Sequence, residues 1–141
     1  PSRALKGVLY LTLGLVAAFT ASAIAGLWDG EPAETGLRAI GQGADGERVR
    51  VEVLNGAGRG GLARDATHRL REAGFDVVFF GNADRFDHAR SVVLDRVGRP
   101  EEARAAAAAL GIDSVTTAVD SSLMLEATVI LGEDWPGIED R

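Results

Sequence analysis

The period of apolar and polar positions changes several times along the chain, and each change marks an element. From Arg48 to Val53 the residues alternate Arg-Val-Arg-Val-Glu-Val, which predicts a half-buried strand with its valines inward. Asn55–Gly61 is a glycine-rich turn. Leu62, Ala66, Leu70 and Ala73 then recur at helical spacing, so Leu62–Ala73 reads as a helix closed by Gly74. Phe75–Phe80 is an apolar strand followed by the turn Gly81-Asn82-Ala83-Asp84, and Ser91–Val97 is a third strand. A second helix opens at Gly98-Arg99-Pro100-Glu101-Glu102, with proline in the first turn and acids against the dipole. It runs through the alanines to Leu110 and stops at Gly111. Ser114–Val119 and Ala127–Leu131 complete the set as strands. The order β-α-β-β-α-β, with one more strand, predicts an α+β sandwich carrying two helices on one sheet face.

The N-terminal pattern differs. Gly7–Trp28 contains no charged residue, and as a helix rising about 1.5 Å per residue it covers roughly 33 Å, the thickness of a bilayer core. The run predicts a single transmembrane helix. Arg3 and Lys6 precede it, Tyr10 and Trp28 lie near its ends, and Asp29, Glu31 and Glu34 follow. Arg3, Lys6 and Trp28 are interface anchors on this reading. The positive-inside rule places the N-terminus in the cytoplasm and the domain on the periplasmic side of the inner membrane. Ala21-Ser22-Ala23 and Ala23-Ile24-Ala25 also fit signal-peptide cleavage sites, so removal of the segment is the rival reading; the domain is exported in either case. Gly14, Ala17, Ala18, Ala21, Ser22 and Ala25 fall at three- and four-residue spacings, a stripe that lets another membrane helix pack closely.

Residues 1–6 thus read as a cytoplasmic end, 7–28 as the span, 29–47 as a linker or surface-laid strap, 48–134 as the domain and 135–141 as a tail. The linker is rich in glycine and acids, with Leu37 and Ile40 as the apolar positions able to pin it. Net charge is −6 over 141 residues, and both basic residues of the N-terminal end lie before the apolar run. The acidic remainder offers no basic face for nucleic acid. The absence of cysteine excludes disulfides, Cys-ligated zinc and a thiol nucleophile. Two histidines, His68 and His88, are too few for a three-histidine metal site within one chain.

Candidate chemistry is sparse. Gly56-Ala57-Gly58-Arg59-Gly60-Gly61 matches G-x-G-x-x-G between a strand and a helix, the setting of a dinucleotide site. The domain is too small for that fold, however, and Asp76 sits at the start of the second strand rather than its end. A tight structural turn is the better reading, with Gly58, Arg59 and Arg64 left as a weak anion or partner contact. Asp87, His88 and Ser91 share one short connection without the chain of contacts a hydrolase needs, and read as a solvated loop. His68 and Glu72 read as a surface pair on the first helix. Glu101-Glu102 reads as helix N-terminal charge and Glu133-Asp134 as a solvated tail. No catalytic residue, cofactor site or metal site is predicted.

The stretch Val49–Asp134 resembles the LytR C-terminal domain family. The likeness runs through Val51-Glu52-Val53-Leu54-Asn55-Gly56, Gly61-Leu62-Ala63, Leu70 and Gly74-Phe75-Asp76-Val77. It continues through Asn82-Ala83, Val92-Val93, Ala103, Leu110-Gly111 and Ala127-Thr128-Val129-Ile130-Leu131-Gly132-Glu133-Asp134. In that family the domain often follows a membrane helix, lies outside the cytoplasm and accompanies a LytR–CpsA–Psr catalytic domain that transfers glycopolymers to the wall. No such catalytic domain fits between Trp28 and Arg48. The resemblance therefore implies a binding or scaffolding module without an enzyme. Two functions follow as expectations. The first is an accessory subunit, packed through its membrane helix and linker into a larger membrane complex, photosynthetic, respiratory or wall-building. The second is a module binding a cell-envelope glycopolymer or peptidoglycan, with Trp135 as the sugar-stacking aromatic.

Overall fold

The computed structural model describes residues 40–137. The span Gly7–Trp28, its small-residue stripe, its anchors, most of the linker and residues 138–141 lie outside them. Among the described residues no helix is long and apolar enough to cross a membrane. The elements are β1 (Arg50–Asn55), α1 (Leu62–Glu72), β2 (Asp76–Asn82), β3 (Val92–Asp95), α2 (Pro100–Leu110), β4 (Val115–Thr117) and β5 (Ala127–Leu131), with a 3-10 turn at Ser121–Leu123. The predicted order stands; the first four strands shift by one or two residues at their ends, and Ala127–Leu131 stands as predicted.

The strands form one mixed sheet in the order β2-β1-β5-β3-β4. β1 runs parallel to β2 and β5, β3 runs parallel to β4, and β3 meets β5 antiparallel. Each parallel neighbour pair needs a crossover, which the intervening helix supplies. β1 and β3 run in opposite directions and step outward to opposite edges. Two right-handed crossovers are then related by a half-turn about an axis normal to the sheet near β5, which sets both helices on the same face. The contact between α1 and α2 agrees with this.

Between sheet and helices lies the core. β1 turns Val51 and Val53 inward, β5 contributes Ala127, Val129 and Leu131, and the helices add Leu62, Ala66, Leu70, Ala103, Ala106, Ala107 and Leu110. The alanines of α2 let it lie close on the sheet. Phe75 and Leu70 are fully buried large side chains, each stabilising by roughly 1.5–3 kcal/mol. Both helices end as predicted, in left-handed glycines: Phe75 N–H donates to Leu70 O beyond Gly74, and Ile112 N–H to Ala107 O beyond Gly111.

The domain reaches further back than its sequence pattern suggests. Gln42 bridges Arg48, Val49 N–H donates to Gly41 O, and Gly41 N–H donates to Ala73 O. Of the two readings of the linker, residues 41–47 therefore take the strap laid on the domain. Their glycine and acid content hides this, because a strap held by backbone hydrogen bonds needs no apolar period.

Candidate functional site

Among the described residues the second face of the sheet carries no helix. Alternation on β1, β3 and β5 points Glu52, Leu54, Val92, Leu94, Thr128 and Ile130 to it. The register arranges them in rows. Gly81, Leu54, Ile130 and Val92 lie side by side, and Phe79, Glu52, Thr128 and Leu94 form the next row. β2 joins in because its register slips opposite Val51/Glu52. Val77 points inward opposite Val51, and the bulge after it turns Phe79 onto the open face opposite Glu52, where it stays 55 % exposed. A Cβ on Gly81 would come within 2.9 Å of the Phe79 ring, so the glycine lets the ring lie along its own strand.

Beside this apolar row runs a polar one. Thr128 Oγ1 donates to Glu52 Oε1 at 2.7 Å, and Arg96 Nε donates to Thr128 Oγ1 at 2.9 Å. Arg96 Nη1 also donates to Ala118 O at 3.0 Å. Thr128 is fully buried beneath these neighbours. The chain of bonds fixes one carboxylate and one guanidinium next to an exposed aromatic ring. Such a surface can stack a flat, weakly apolar ring and hydrogen-bond its hydroxyls.

The glycine-rich turn is built for shape. Ala57 and Gly58 N–H both donate to Asn55 Oδ1, at 3.2 and 3.0 Å, and Gly56 N–H donates to Leu131 O. Those amides are spent within the fold. A Cβ on Gly56 would meet the His88 ring at 2.7 Å and Leu131 O at 2.9 Å, so close packing explains that glycine. Gly58 lies against Phe86. Arg59 donates to the Trp135 carbonyl, while Arg64 is exposed in the first turn of α1. Of the three residues predicted to contact an anion, the structure thus places Gly58 and Arg59 in internal bonds and leaves Arg64 facing solvent.

Several residues stand elsewhere than the sequence suggests. Trp135, read as a tail residue and sugar-stacker, is 2 % exposed and donates from Nε1 to Leu110 O at 3.0 Å. It is a core residue and offers no exposed ring for stacking. Ser91 is buried, and its hydroxyl donates to Asp134 Oδ1 at 2.7 Å while accepting from Gly132 N–H. Asp134 also accepts from Ser91 N–H, so this exposed acid clamps the Ser91 turn as well. Asp87 pairs with Arg85 on the surface, apart from Ser91's bonds. Glu102 lies in the first turn of α2 as predicted, and it is buried there. His68 and Glu72 are exposed on α1. Among the described residues no group of three or more metal-ligating side chains is placed to hold an ion.

The family model described as LytR cell envelope-related transcriptional attenuator matches residues 48–135. The soluble domain of a conserved hypothetical secreted protein, an Rv2700 ortholog from Mycobacterium marinum, is similar in crystal structure. The TM-score is 0.49 at 24 % identity, covering 74 % of this chain and 72 % of that one. No curated protein sequence matches the chain.

Proposed function

This chain belongs to the LytR C-terminal domain family, and we propose that it is a non-catalytic cell-envelope module that binds a wall glycopolymer on its open sheet face. The observation that carries the reading is Phe79, an exposed ring laid over Gly81 beside the fixed Glu52–Thr128–Arg96 row. The family's envelope association supports this choice over an accessory subunit of a photosynthetic or respiratory complex, which gains no support from the match. Gly7–Trp28 would hold the module at the inner membrane with its domain outside; a reporter fused after Arg141 tests that orientation. Arg64 is the remaining anion contact, reaching charged groups of the same polymer.

Sedimentation of the full chain with isolated wall glycopolymer and with peptidoglycan tests the proposal. Wild type should co-sediment with the glycopolymer. Phe79→Ala should weaken retention about tenfold, the loss of one aromatic contact worth about 1–1.5 kcal/mol, with an unchanged circular dichroism spectrum. Arg64→Ala should weaken it by about two- to threefold. Absence of retention by wild type, or equal retention by Phe79→Ala, would overturn the reading.

A further inference from the structure

At the end of the sheet where β1, β2 and β5 begin, a polar cleft of about 480 Å³ opens between the strap and the first turn of α2. Among the described residues five carboxylates and three arginines line it, a formal excess of two negative charges (5 − 3 = 2). Part of this charge is already paired. Arg50 Nη2 meets Glu126 Oε1 at 3.2 Å, and Glu126 Oε2 accepts Arg50 N–H at 2.6 Å. That bond holds the Arg50 guanidinium above its ordinary pKa. Asp45 Oδ1 accepts Glu47 N–H at 3.1 Å.

Glu102 differs from these. Its side chain is 8 % exposed, and its Oε2 atom is buried without a hydrogen-bond partner among the described residues. Arg99 Nη2 stands 3.5 Å away, near enough to count as an ion pair by distance but too far for a good directed bond. Burial raises the Glu102 pKa; Arg99 opposes that rise, and Glu126, Asp45 and Asp95 add to it. A buried carboxylate oxygen with empty lone pairs is costly and is relieved by a charged N–H donor. The Arg99 side chain is 47 % exposed and free to swing outward.

We infer that this cleft binds a primary ammonium group, which takes the place of Arg99 on Glu102 Oε2. The two sources of that group are a free alkyl diamine and the side-chain amine of a wall peptide. The site stands independently of the glycan reading, because its probes carry no sugar.

The test is an NMR titration of the full chain, in a buffer without primary amines, with 1,5-diaminopentane, a lysine-bearing wall-type peptide and the N-acetylated form of each. Wild type should show saturable shifts at Gly43, Glu102 and Glu126 with at least one free amine. Response to the diamine alone assigns a free amine, and response to the peptide alone assigns the wall peptide. Glu102→Gln should weaken binding about tenfold or more. Arg99→Gln, which removes the competing guanidinium, should tighten it severalfold, and Asp113→Asn, removing equal charge on an exposed loop, should leave it unchanged. Absence of saturation with either amine, equal binding of the acetylated forms, or equal weakening by Asp113→Asn would overturn the inference.

Discussion

The two strand–helix–strand units, Arg50–Asn82 and Val92–Thr117, solve one problem with different chemistry. Each ends its first strand on a buried polar residue whose side-chain oxygen gathers the amides of the turn into the helix. In the first unit Asn55 Oδ1 accepts from Ala57 and Gly58 N–H, and Asn55 Nδ2 donates to Arg59 O at 2.7 Å. In the second unit Asp95 Oδ1 accepts from Val97, Gly98 and Arg99 N–H, and Oδ2 accepts from Thr117 Oγ1. Gly58 and Gly98 stand at the same place, three residues on, with φ of 69° and 76°. The first unit keeps its buried polar groups neutral, Asn55 and Thr67, whereas the second buries Asp95 and Glu102. The strand-to-helix connection is longer in the first unit, and the second gathers more amides in a shorter one.

The largest predicted effect separates the two turns directly. Asp95 is fully buried, and Asp95→Ala takes the acceptor from three part-buried amides and a hydroxyl, which should cost on the order of 4 kcal/mol. Asn55→Ala strands fewer groups and should cost about 2 kcal/mol. Urea midpoints of the two variants measure the difference. Equal losses would mean that the charge of Asp95 adds nothing beyond its shape.

The matching glycines come next. Both need a left-handed backbone, so alanine at either place should cost about 1 kcal/mol. At Gly58 the added Cβ also meets Phe86 Cβ at 3.1 Å, while at Gly98 its nearest neighbour is Val119 at 3.8 Å. Gly58→Ala should therefore lose about 1 kcal/mol more than Gly98→Ala in the same denaturation experiment. A reversed order would show that Phe86 yields freely.

How much of this was legible follows from the range of each interaction. The helices and their glycine ends are local, and period and end signals located them. The resemblance through Val51–Gly56 and Ala127–Asp134 also stands, within the family match over 48–135. The insertion of β5 between β1 and β3 is a pairing of distant segments that alternation does not encode. Phe79 faces outward because of a bulge, and a bulge leaves no mark in Asp-Val-Val-Phe-Phe-Gly-Asn except the glycine two places on. Asn55-x-x-Gly58 and Asp95-x-x-Gly98 were visible signals, and reading them together would have exposed the paired turns. Trp135 looked like a tail residue because its partners, Leu110 O and Arg59, are remote in sequence.

Trp135 also joins the units, since its ring binds the end of α2 and its carbonyl receives Arg59 from the first turn. Trp135→Phe keeps most of the buried ring but leaves the Leu110 carbonyl without its indole donor. It should cost about 1 kcal/mol and leave glycopolymer retention unchanged. Loss of retention at full stability would return the stacking role to Trp135 and remove it from Phe79.

The smallest effect concerns pH and belongs to the second unit. Burial raises the Glu102 pKa above its ordinary value of 4.5, so the folded chain holds that proton more tightly than the unfolded chain. The stabilisation from this proton is fully present below 4.5 and is lost as pH rises through the raised folded value. Glu102→Gln carries no such proton. Its urea midpoint should gain on wild type as pH rises across that window and hold that gain above it. Arg99 opposes the rise in pKa, so Arg99→Gln should carry the loss to higher pH. Asn55→Asp would place a charge at the matching point of the first unit, in a turn with fewer amides to receive it. If the midpoint of Glu102→Gln tracks wild type at every pH, buried charge does not distinguish the second unit, and the two turns differ in geometry alone.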